Sequence, residues 1–175
     1  MAGKESAAGA AYKRADGRTI YVILYRETNR EGHAAKVYFN VLFGLDFTRT
    51  EDNNINAALN YGYSIILSTF TREIVANGYI TQLGLFHDNM FNQFNLASDL
   101  MEPFRVLVDR EVKQMKLDSF EHDEKMQLVN ILNQEVSIDG RIQYVNNAIK
   151  IYCKSVFDAL NDDDSSLVRF YRFEL

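Results

Sequence analysis

The chain has 175 residues, 47% of them hydrophobic and 25% charged, which is the composition of an ordinary globular protein with one core. It contains no apolar run near 18 residues and no signal-peptide pattern, so we expect a cytoplasmic protein that does not enter a membrane. The net charge of -5 argues against a protein that coats nucleic acid non-specifically, although a local basic patch can still bind DNA. The single Cys153 cannot form an internal disulfide and is expected to be a small hydrophobe within a helix.

The N-terminal stretch differs in composition from the rest. Residues 1–17, MAGKESAAGAAYKRADG, have almost no bulky apolar side chains and cannot bury enough surface to offset the entropy lost on ordering. We expect a tag- or linker-like tail there, followed by one α-helical domain over residues 18–175. The run TIYVILY at 19–25 is compatible with a strand or with a helical segment, and its pattern leaves the type open.

Two helices are predicted next. TNRE at 28–31 has the Thr-x-x-Glu pattern of a capping box, and GHAAKVYFNVLFG continues it as a helix that ends near Gly44. NAALNYGYSIILSTFTREIVANG is the clearest helix, because apolar residues recur at three- and four-residue spacing and Asn77-Gly78 supplies an end. Its apolar stripe consists of Leu59, Tyr63, Ile66, Leu67, Phe70 and Ile74, and its other face carries Arg72 and Glu73.

The second half continues the helical pattern. Residues 99–116 and 122–136 are predicted as helices, and VSIDGRIQY alternates around Asp139-Gly140, which is a strong hairpin signal. A last helix is predicted over about 145–160, with a stripe of Val145, Ala148, Ile149, Tyr152, Val156 and Leu160. The expected fold is therefore mainly α, a helical domain with one small β-hairpin.

A histidine and two carboxylates are candidate site residues. His87 lies on a turn between two helical patterns, and loops on rigid scaffolds are where site residues collect. Asp99 and Glu102 share a helix face, where their repulsion is unfavourable unless solvent, a cation or a metal neutralises it. Both have ordinary explanations as well: His87 as an exposed histidine, and Asp99 as a first-turn carboxylate favoured by the helix dipole. The nearby Pro103 agrees with an early-turn position.

Glu31 can be explained by the capping box alone, although a carboxylate at a helix start is also held rigidly. One histidine and two carboxylates from separate elements would form a site suited to Mn²⁺ and workable for Mg²⁺, whereas zinc more usually recruits Cys or further His ligands. The chain has no Gly-x-Ser-x-Gly motif and no phosphate-binding glycine-rich loop, so other catalytic classes have weaker support.

Four motifs in order carry a family resemblance over about residues 29–112: NREGHAAKVYFNVLFGLDF, NAALNYGYSIILS, TQLGLFH and FNLASDLMEPFRVLVD. On these the sequence resembles the CRISPR-associated spacer-acquisition integrase, the Cas-one family, and most closely its type II branch. The resemblance implies an α-helical C-terminal catalytic domain that lacks the N-terminal β domain of the family. It also implies that Glu31, His87 and Glu102 bind Mg²⁺ or Mn²⁺ as the catalytic residues, with Asp99 as a nearby acidic support.

The implied activity is a metal-dependent DNA endonuclease and integrase, in which the 3′-hydroxyl of a prespacer attacks a phosphodiester of the CRISPR repeat. Besides DNA, the partners implied for the full-length family are a second copy of the chain and the small Cas-two protein. Another class of function stays open, a catalytically silent helical DNA- or protein-binding module. Candidate phosphate contacts, each also explained as a solvated surface charge, are Arg30, Lys36, Arg49, Arg72 and Arg105.

Overall fold

The computed structural model describes residues 9–13, 19–23 and 30–172, and the side chains of residues 32–172. The chain divides into two compact units, Met1–Glu51 and Asp52–Leu175. None of the helices in the described ranges combines the length and the apolar character needed to cross a membrane.

The first unit begins with a two-stranded antiparallel pair. Strand β1 (Gly9–Lys13) pairs with β2 (Thr19–Ile23), with Gly9 opposite Ile23. The run left open as strand or helix therefore contains a strand. Strand β1 lies within the stretch expected to be linker-like. It forms through backbone pairing with β2, and the composition of residues 1–17 contains no signal for such pairing. Within residues 1–17, only 9–13 belong to the described residues.

Helix α1 (Arg30–Phe43) follows and ends at Gly44, as predicted. Gly44 has φ 110°, a conformation that glycine adopts without steric cost. The predicted capping box involves residue 28, which lies outside the described residues. Beyond the helix end, Phe47 packs on Phe43 with ring centroids 4.9 Å apart, and it forms the buried centre of this unit.

Helix α2 (Asn54–Ala76) is the central element of the second unit. The Asn53 side chain caps its start by accepting a hydrogen bond from the Asn56 amide at 2.9 Å, and Gly78 at its end has φ 81°. Along the predicted apolar stripe, Leu59, Ile66, Phe70 and Ile74 are fully buried, whereas Tyr63 and Leu67 are partly exposed. The periodicity therefore identified the face that the other helices cover.

Four further helices pack against α2: α3 (Asn95–Met101), α4 (Arg105–Gln114), α5 (His122–Val129) and α6 (Val145–Asp162). The helix predicted over 99–116 thus begins earlier and is interrupted by a 3-10 turn, Glu102–Phe104. Pro103 in this turn has no N–H to donate to the preceding turn of helix, which explains the break.

The helix predicted over 122–136 is shorter in the structure. It ends at Val129, continues as a 3-10 turn (Asn130–Asn133) and gives way to strand β3 (Glu135–Ile138). Val136 and Ile138 are buried while Glu135 is exposed, so the alternation of a strand begins at Glu135, one residue before the predicted helix end.

A three-stranded antiparallel sheet completes the second unit in the order β4-β3-β5. The hairpin of β3 and β4 (Arg141–Tyr144) turns through Asp139-Gly140 with φ 55° and 72°, as its sequence predicted. Strand β5 (Tyr171–Arg172) adds to the other edge of β3 and was not predicted. The expected fold, mainly α with a small β-hairpin, is confirmed.

Helix α6 buries five of its six predicted stripe residues, while Leu160 is 47% exposed near its end. Cys153 is fully buried in this helix, and burial raises the pKa of its thiol to about 12, with a smaller contribution from the Glu73 carboxylate. The thiol is protonated at neutral pH and packs as a small hydrophobe, as predicted.

Candidate active site around His87

The loop of residues 79–94, which joins α2 to α3, carries His87. Its two ends are joined through Thr81, a buried residue whose hydroxyl donates a hydrogen bond to the Gln93 carbonyl at 2.8 Å. The Thr81 carbonyl in turn accepts from the Leu96 amide at 2.9 Å. These bonds close the loop on itself at the start of α3.

Asn95, the first residue of α3, supports the same loop from below. It is buried, and its side-chain amide donates to the carbonyls of Gln82 at 3.0 Å and Asn89 at 2.9 Å. Buried backbone carbonyls need such partners, because leaving them unpaired costs about as much as a lost hydrogen bond. Asn95 therefore fixes the loop on both sides of His87.

Asp99 binds the segment around His87 directly. Its side chain is only 3% exposed, and its Oδ2 accepts from the amides of Leu85 at 2.5 Å and Phe86 at 3.0 Å. Its Oδ1 accepts from the His87 amide at 3.1 Å. The interpretation of Asp99 as a first-turn carboxylate is wrong, because α3 begins four residues earlier and the carboxylate binds the loop instead.

The same Asp99 Oδ1 lies 2.5 Å from Nδ1 of the His87 ring. A carboxylate only accepts hydrogen bonds, so Nδ1 carries the proton in this contact and the neutral ring has its lone pair on Nε2. The His87 side chain is 46% exposed. The structure thus presents a fixed imidazole with one nitrogen held by the protein and the other available to a ligand.

Gly84 makes this arrangement sterically possible. A Cβ at that position would lie 2.8 Å from Asp99 Oδ2 and 3.0 Å from the Asn95 Cβ, and would overlap the His87 carbonyl oxygen. Real Cβ contacts are rarely so short. The absence of a side chain at Gly84 therefore allows the loop to close around the Asp99 carboxylate.

Glu102 is placed by the 3-10 turn that follows α3. The turn is anchored by Phe104, which is fully buried and packs against Phe70 with ring centroids 5.2 Å apart. Tyr171 of β5 donates its hydroxyl hydrogen bond to the Pro103 carbonyl at 2.8 Å. Core packing on one side and the sheet on the other hold the backbone of Glu102.

The Glu102 carboxylate has an unusual electrostatic environment. Partial burial raises the pKa of Glu102 above its ordinary value, and the positive charge of Arg105 opposes that rise, as does His87 whenever its ring is protonated. Asp99 and Asp109 add smaller contributions that raise the pKa. His87, Asp99 and Glu102 therefore lie close enough to interact electrostatically.

Glu31 is the second residue of α1, and its side chain lies outside those that the structure describes. Among the side chains of residues 32–172, no three His, Cys, Asp or Glu residues are gathered into a group that could hold a metal ion. The structure brings His87 and Asp99 into contact, with Glu102 within electrostatic range of both, and the Asp99 carboxylate is already occupied by hydrogen bonds.

Of the predicted phosphate contacts, Lys36 is an exposed residue of α1 and the Arg30 side chain lies outside the described ones. The Arg49 guanidinium lies 5.4 Å from the centroid of the Phe39 ring, which is a cation–π distance. Of the two candidates in the first unit whose side chains are described, Lys36 is exposed and Arg49 is partly buried.

The other two arginines contact acidic groups. Arg105 Nε lies 3.2 Å from Glu102 Oε1, and the guanidinium lies 5.0 Å from the centroid of the Tyr63 ring. Arg72 Nε lies 3.5 Å from Glu73 Oε1. Glu73 was assigned to the polar face of α2, but it is buried, so that assignment is wrong. The reason is that the face of α2 covered by α6 is wider than the apolar stripe. Only Arg105 belongs to the group around His87.

Sequence reasoning missed the structural roles of Thr81 and Asn95. The available signal was the i, i+4 spacing of Asn95 and Asp99, which places two polar side chains on one face of a short helix. Leu96 and Leu100, which are adjacent to these polar residues in α3, are buried. Polar side chains next to buried apolar ones usually make hydrogen bonds to another segment.

Comparison with known proteins identifies the family of this chain. The model of the family CRISPR associated protein Cas1 matches residues 28–136. A CRISPR-associated endonuclease Cas1 of Neisseria meningitidis serogroup C (strain 8013) is 40% identical over 116 residues, covering 63% of this chain and 38% of that protein. A protein of the same description from Thermus thermophilus is 34% identical over 118 residues, covering 63% of this chain and 36% of that protein. The chain thus spans less than half the length of these relatives.

A solved structure has the same fold. It is titled "Casposase bound to integration product" and superimposes on this chain with a TM-score of 0.64 at 24% sequence identity. The matched region covers 77% of this chain and 47% of the casposase chain. Assignment to the type II branch stays a prediction. With the family model matching more than half of its length, this chain belongs to the CRISPR associated protein Cas1 family, as its four motifs predicted.

Proposed function

We propose that this chain supplies the catalytic site of a divalent-metal-dependent DNA endonuclease and integrase that acts in CRISPR spacer acquisition. The observation that carries the proposal is the contact of Asp99 with His87, which fixes the imidazole through Nδ1 within electrostatic range of the Glu102 carboxylate. Relatives named as CRISPR-associated endonucleases, and a casposase structure bound to an integration product, support DNA as the substrate.

The donor groups fit Mn²⁺ or Mg²⁺. The His87 imidazole and the Glu102 carboxylate would hold the ion, and a carboxylate bonded to the far nitrogen is the usual support of a metal-binding histidine. We assign a further carboxylate ligand to Glu31 on the strength of the REGHAA motif alone. A bound divalent cation neutralises charge on a phosphodiester and makes a hydroxyl group more acidic.

The protein groups have distinct tasks. Asp99 keeps His87 in one tautomer and one orientation, so that little reorganisation accompanies ligand binding. Burial makes the ionised Glu102 unfavourable until a cation compensates for the lost water, which favours binding of a positive charge. Arg105, 39% exposed beside Glu102, adds a positive charge that can attract a phosphate.

The proposed reaction is a transesterification. The 3′-hydroxyl of a prespacer attacks a phosphorus of the CRISPR repeat, a new phosphodiester forms, and the former bridging 3′-oxygen leaves and takes up a proton. The nucleophile belongs to the DNA, so no Ser, Cys or Tyr of the chain has to be activated. By the same family resemblance we assign a cytoplasmic location, with a second copy of the chain and the small Cas-two protein as partners of the full-length protein.

Cleavage of a labelled branched DNA tests the proposal. The wild type should cut the DNA with Mn²⁺ and not with EDTA, and His87→Ala and Glu102→Gln should each abolish the cut with helical content unchanged by circular dichroism. His122→Ala is the matched control, since His122 is exposed at the start of α5. Cleavage by His87→Ala at the wild-type rate would contradict the proposal, and DNA binding without cleavage by the wild type would favour the silent binding module.

A further inference from the structure

A tyrosine of α2 lies between a buried carboxylate and the arginine beside Glu102. The Tyr63 hydroxyl donates a hydrogen bond to Asp109 Oδ1, and Asp109 is a buried residue of α4. The guanidinium of Arg105, one turn earlier in α4, lies over the Tyr63 ring, 5.0 Å from its centroid. The face of the ring therefore contacts the cation, while its hydroxyl is held by the protein interior.

The close approach of α2 and α4 sets the position of this tyrosine. A Cβ at Gly62 would overlap a methyl group of Val108, so the helices approach this closely because residue 62 has no side chain. Gly62 directly precedes Tyr63 and Val108 directly precedes Asp109, so the contact brings the next residue of each helix together. A buried carboxylate needs hydrogen-bond donors, and the Tyr63 hydroxyl is one of them. Helix packing and a hydrogen bond to the interior thus fix the ring.

Glu102 alone does not fix the guanidinium. Arg105 Nε lies 3.2 Å from Glu102 Oε1 and is buried, but among the described residues it has no partner in hydrogen-bond geometry. Both side chains are 39% exposed, and ion pairs at such positions hold a long side chain weakly. An arginine also has many rotamers, whose entropy it loses when it binds a phosphate. Stacking on Tyr63 restricts those rotamers before a phosphate binds.

An oriented guanidinium is suited to bind a phosphate group. It can donate two parallel hydrogen bonds to phosphate oxygens, and this geometry requires a defined plane of the guanidinium. We propose that Tyr63 is a positioning residue that holds Arg105 beside Glu102 in the orientation that binds the phosphodiester of the DNA, with Asp109 supporting Tyr63 from the interior. The inference rests on the proposed function, in which Arg105 attracts the phosphate, and adds the residues that orient it.

DNA binding without metal tests the inference apart from cleavage. In EDTA, fluorescence anisotropy measures the affinity of each variant for the labelled branched DNA. Tyr63→Leu and Arg105→Ala should each weaken binding by roughly tenfold, the effect of one lost hydrogen bond to a charged group. Tyr63→Phe should bind within about threefold of the wild type, because the ring remains and only the hydrogen bond of the hydroxyl is lost.

A double variant shows whether Tyr63 acts through Arg105. Tyr63→Leu combined with Arg105→Ala should bind as weakly as Arg105→Ala alone, because residue 63 then has no guanidinium to orient. The kcat of Mn²⁺-dependent cleavage should show the same coupling.

Tyr61→Leu is the matched control. Tyr61 lies about 200° around α2 from Tyr63, and its ring packs against Phe120 with centroids 5.8 Å apart. It should bind the DNA as the wild type does. Circular dichroism checks the fold of each variant. If Tyr63→Leu loses helical content, the same substitution combined with Asp109→Asn replaces it in every comparison, because the amide leaves no unpaired buried charge.

Additive losses of affinity in the double variant overturn the inference, because Tyr63 would then act independently of Arg105. Wild-type affinity in Tyr63→Leu overturns it too, as does equal weakening by Tyr63→Phe and Tyr63→Leu, since the ring would then be dispensable. Coupled losses of DNA affinity without Mn²⁺-dependent cleavage by the wild type support the role of Tyr63 and contradict the proposed function. Mn²⁺-dependent cleavage together with additive losses supports the proposed function and contradicts the inference.

Discussion

The Asp99 carboxylate contacts His87 twice, at the backbone amide at 3.1 Å and at the ring Nδ1 at 2.5 Å. The two contacts fix both the position and the rotation of the imidazole. Because the side chain of Asp99 is almost fully buried while that of His87 is half-exposed, the support is rigid and the supported ring is accessible. The proposed function depends on this pairing.

Asp99→Asn should therefore reduce both stability and activity. The amide oxygen can still accept a hydrogen bond, but its NH₂ group would face the N–H groups of Leu85 and Phe86. We expect a loss of about 2 kcal/mol in the free energy of unfolding, measured by urea denaturation. Asp158→Asn, at an exposed position of α6, should change stability little. Equal stability of the two variants would show that the loop does not depend on the Asp99 charge.

Gly84→Ala tests the close approach of the loop to Asp99. The added Cβ would overlap the His87 carbonyl oxygen and crowd Asp99 Oδ2, so the loop must shift at a cost of about 1–3 kcal/mol. DNA cleavage should fall with it. The control is Gly32→Ala in α1, where a Cβ meets nothing within 4 Å and alanine favours the helix. Wild-type cleavage by Gly84→Ala would mean that the loop adapts without moving His87.

Glu102 should give the metal-free protein a specific pH dependence. Its folded-state pKa lies above the ordinary value of 4.5, so between these two values the folded state retains a proton that the unfolded state has lost. Stability contributed by this group is therefore lost as the pH rises through that window. In EDTA, Glu102→Gln should match the wild type below pH 4.5 and become the more stable protein as the pH rises. A constant difference at all pH values would rule out a raised pKa at Glu102.

Glu31→Gln separates the two interpretations of the motif at the start of α1. Glutamine can still complete a capping box, so stability should change little, whereas a metal ligand requires the carboxylate. We expect thermal unfolding close to that of the wild type together with loss of Mn²⁺-dependent DNA cleavage. Full activity in this variant would favour the capping interpretation and remove Glu31 from the site.

Much of the helical fold could be predicted, because local patterns determine it. The stripe of α2 and the stop at Gly78 were visible from spacing alone. Strands β1 and β5 were missed because each is a short segment that forms only by pairing with a strand elsewhere in the chain. Pro103 was expected in an early turn of a helix that covers residues 99–116. The structure places it in the 3-10 turn that precedes α4.

The residue types of the candidate site were predicted from the sequence, but their hydrogen-bond partners and environments were not. Spacing suggested that Asp99 and Glu102 act together, and the structure shows different environments for them: Asp99 is saturated by loop amides, and Glu102 is partly exposed beside Arg105. The difference arises from the loop path, which depends on Gly84 and Asn95 and has no periodic signal in the sequence.

Calorimetric titration of Mn²⁺ into the metal-free protein tests most directly whether His87 and Glu102 form a metal site. The wild type should bind the ion and gain thermal stability, by about 2.7 kcal/mol at a hundredfold excess over Kd. His87→Ala and Glu102→Gln should each lose both the binding heat and the stabilisation, while His122→Ala should keep them. Mn²⁺ binding of unchanged affinity in His87→Ala, or no binding by the wild type at millimolar Mn²⁺, would contradict the account.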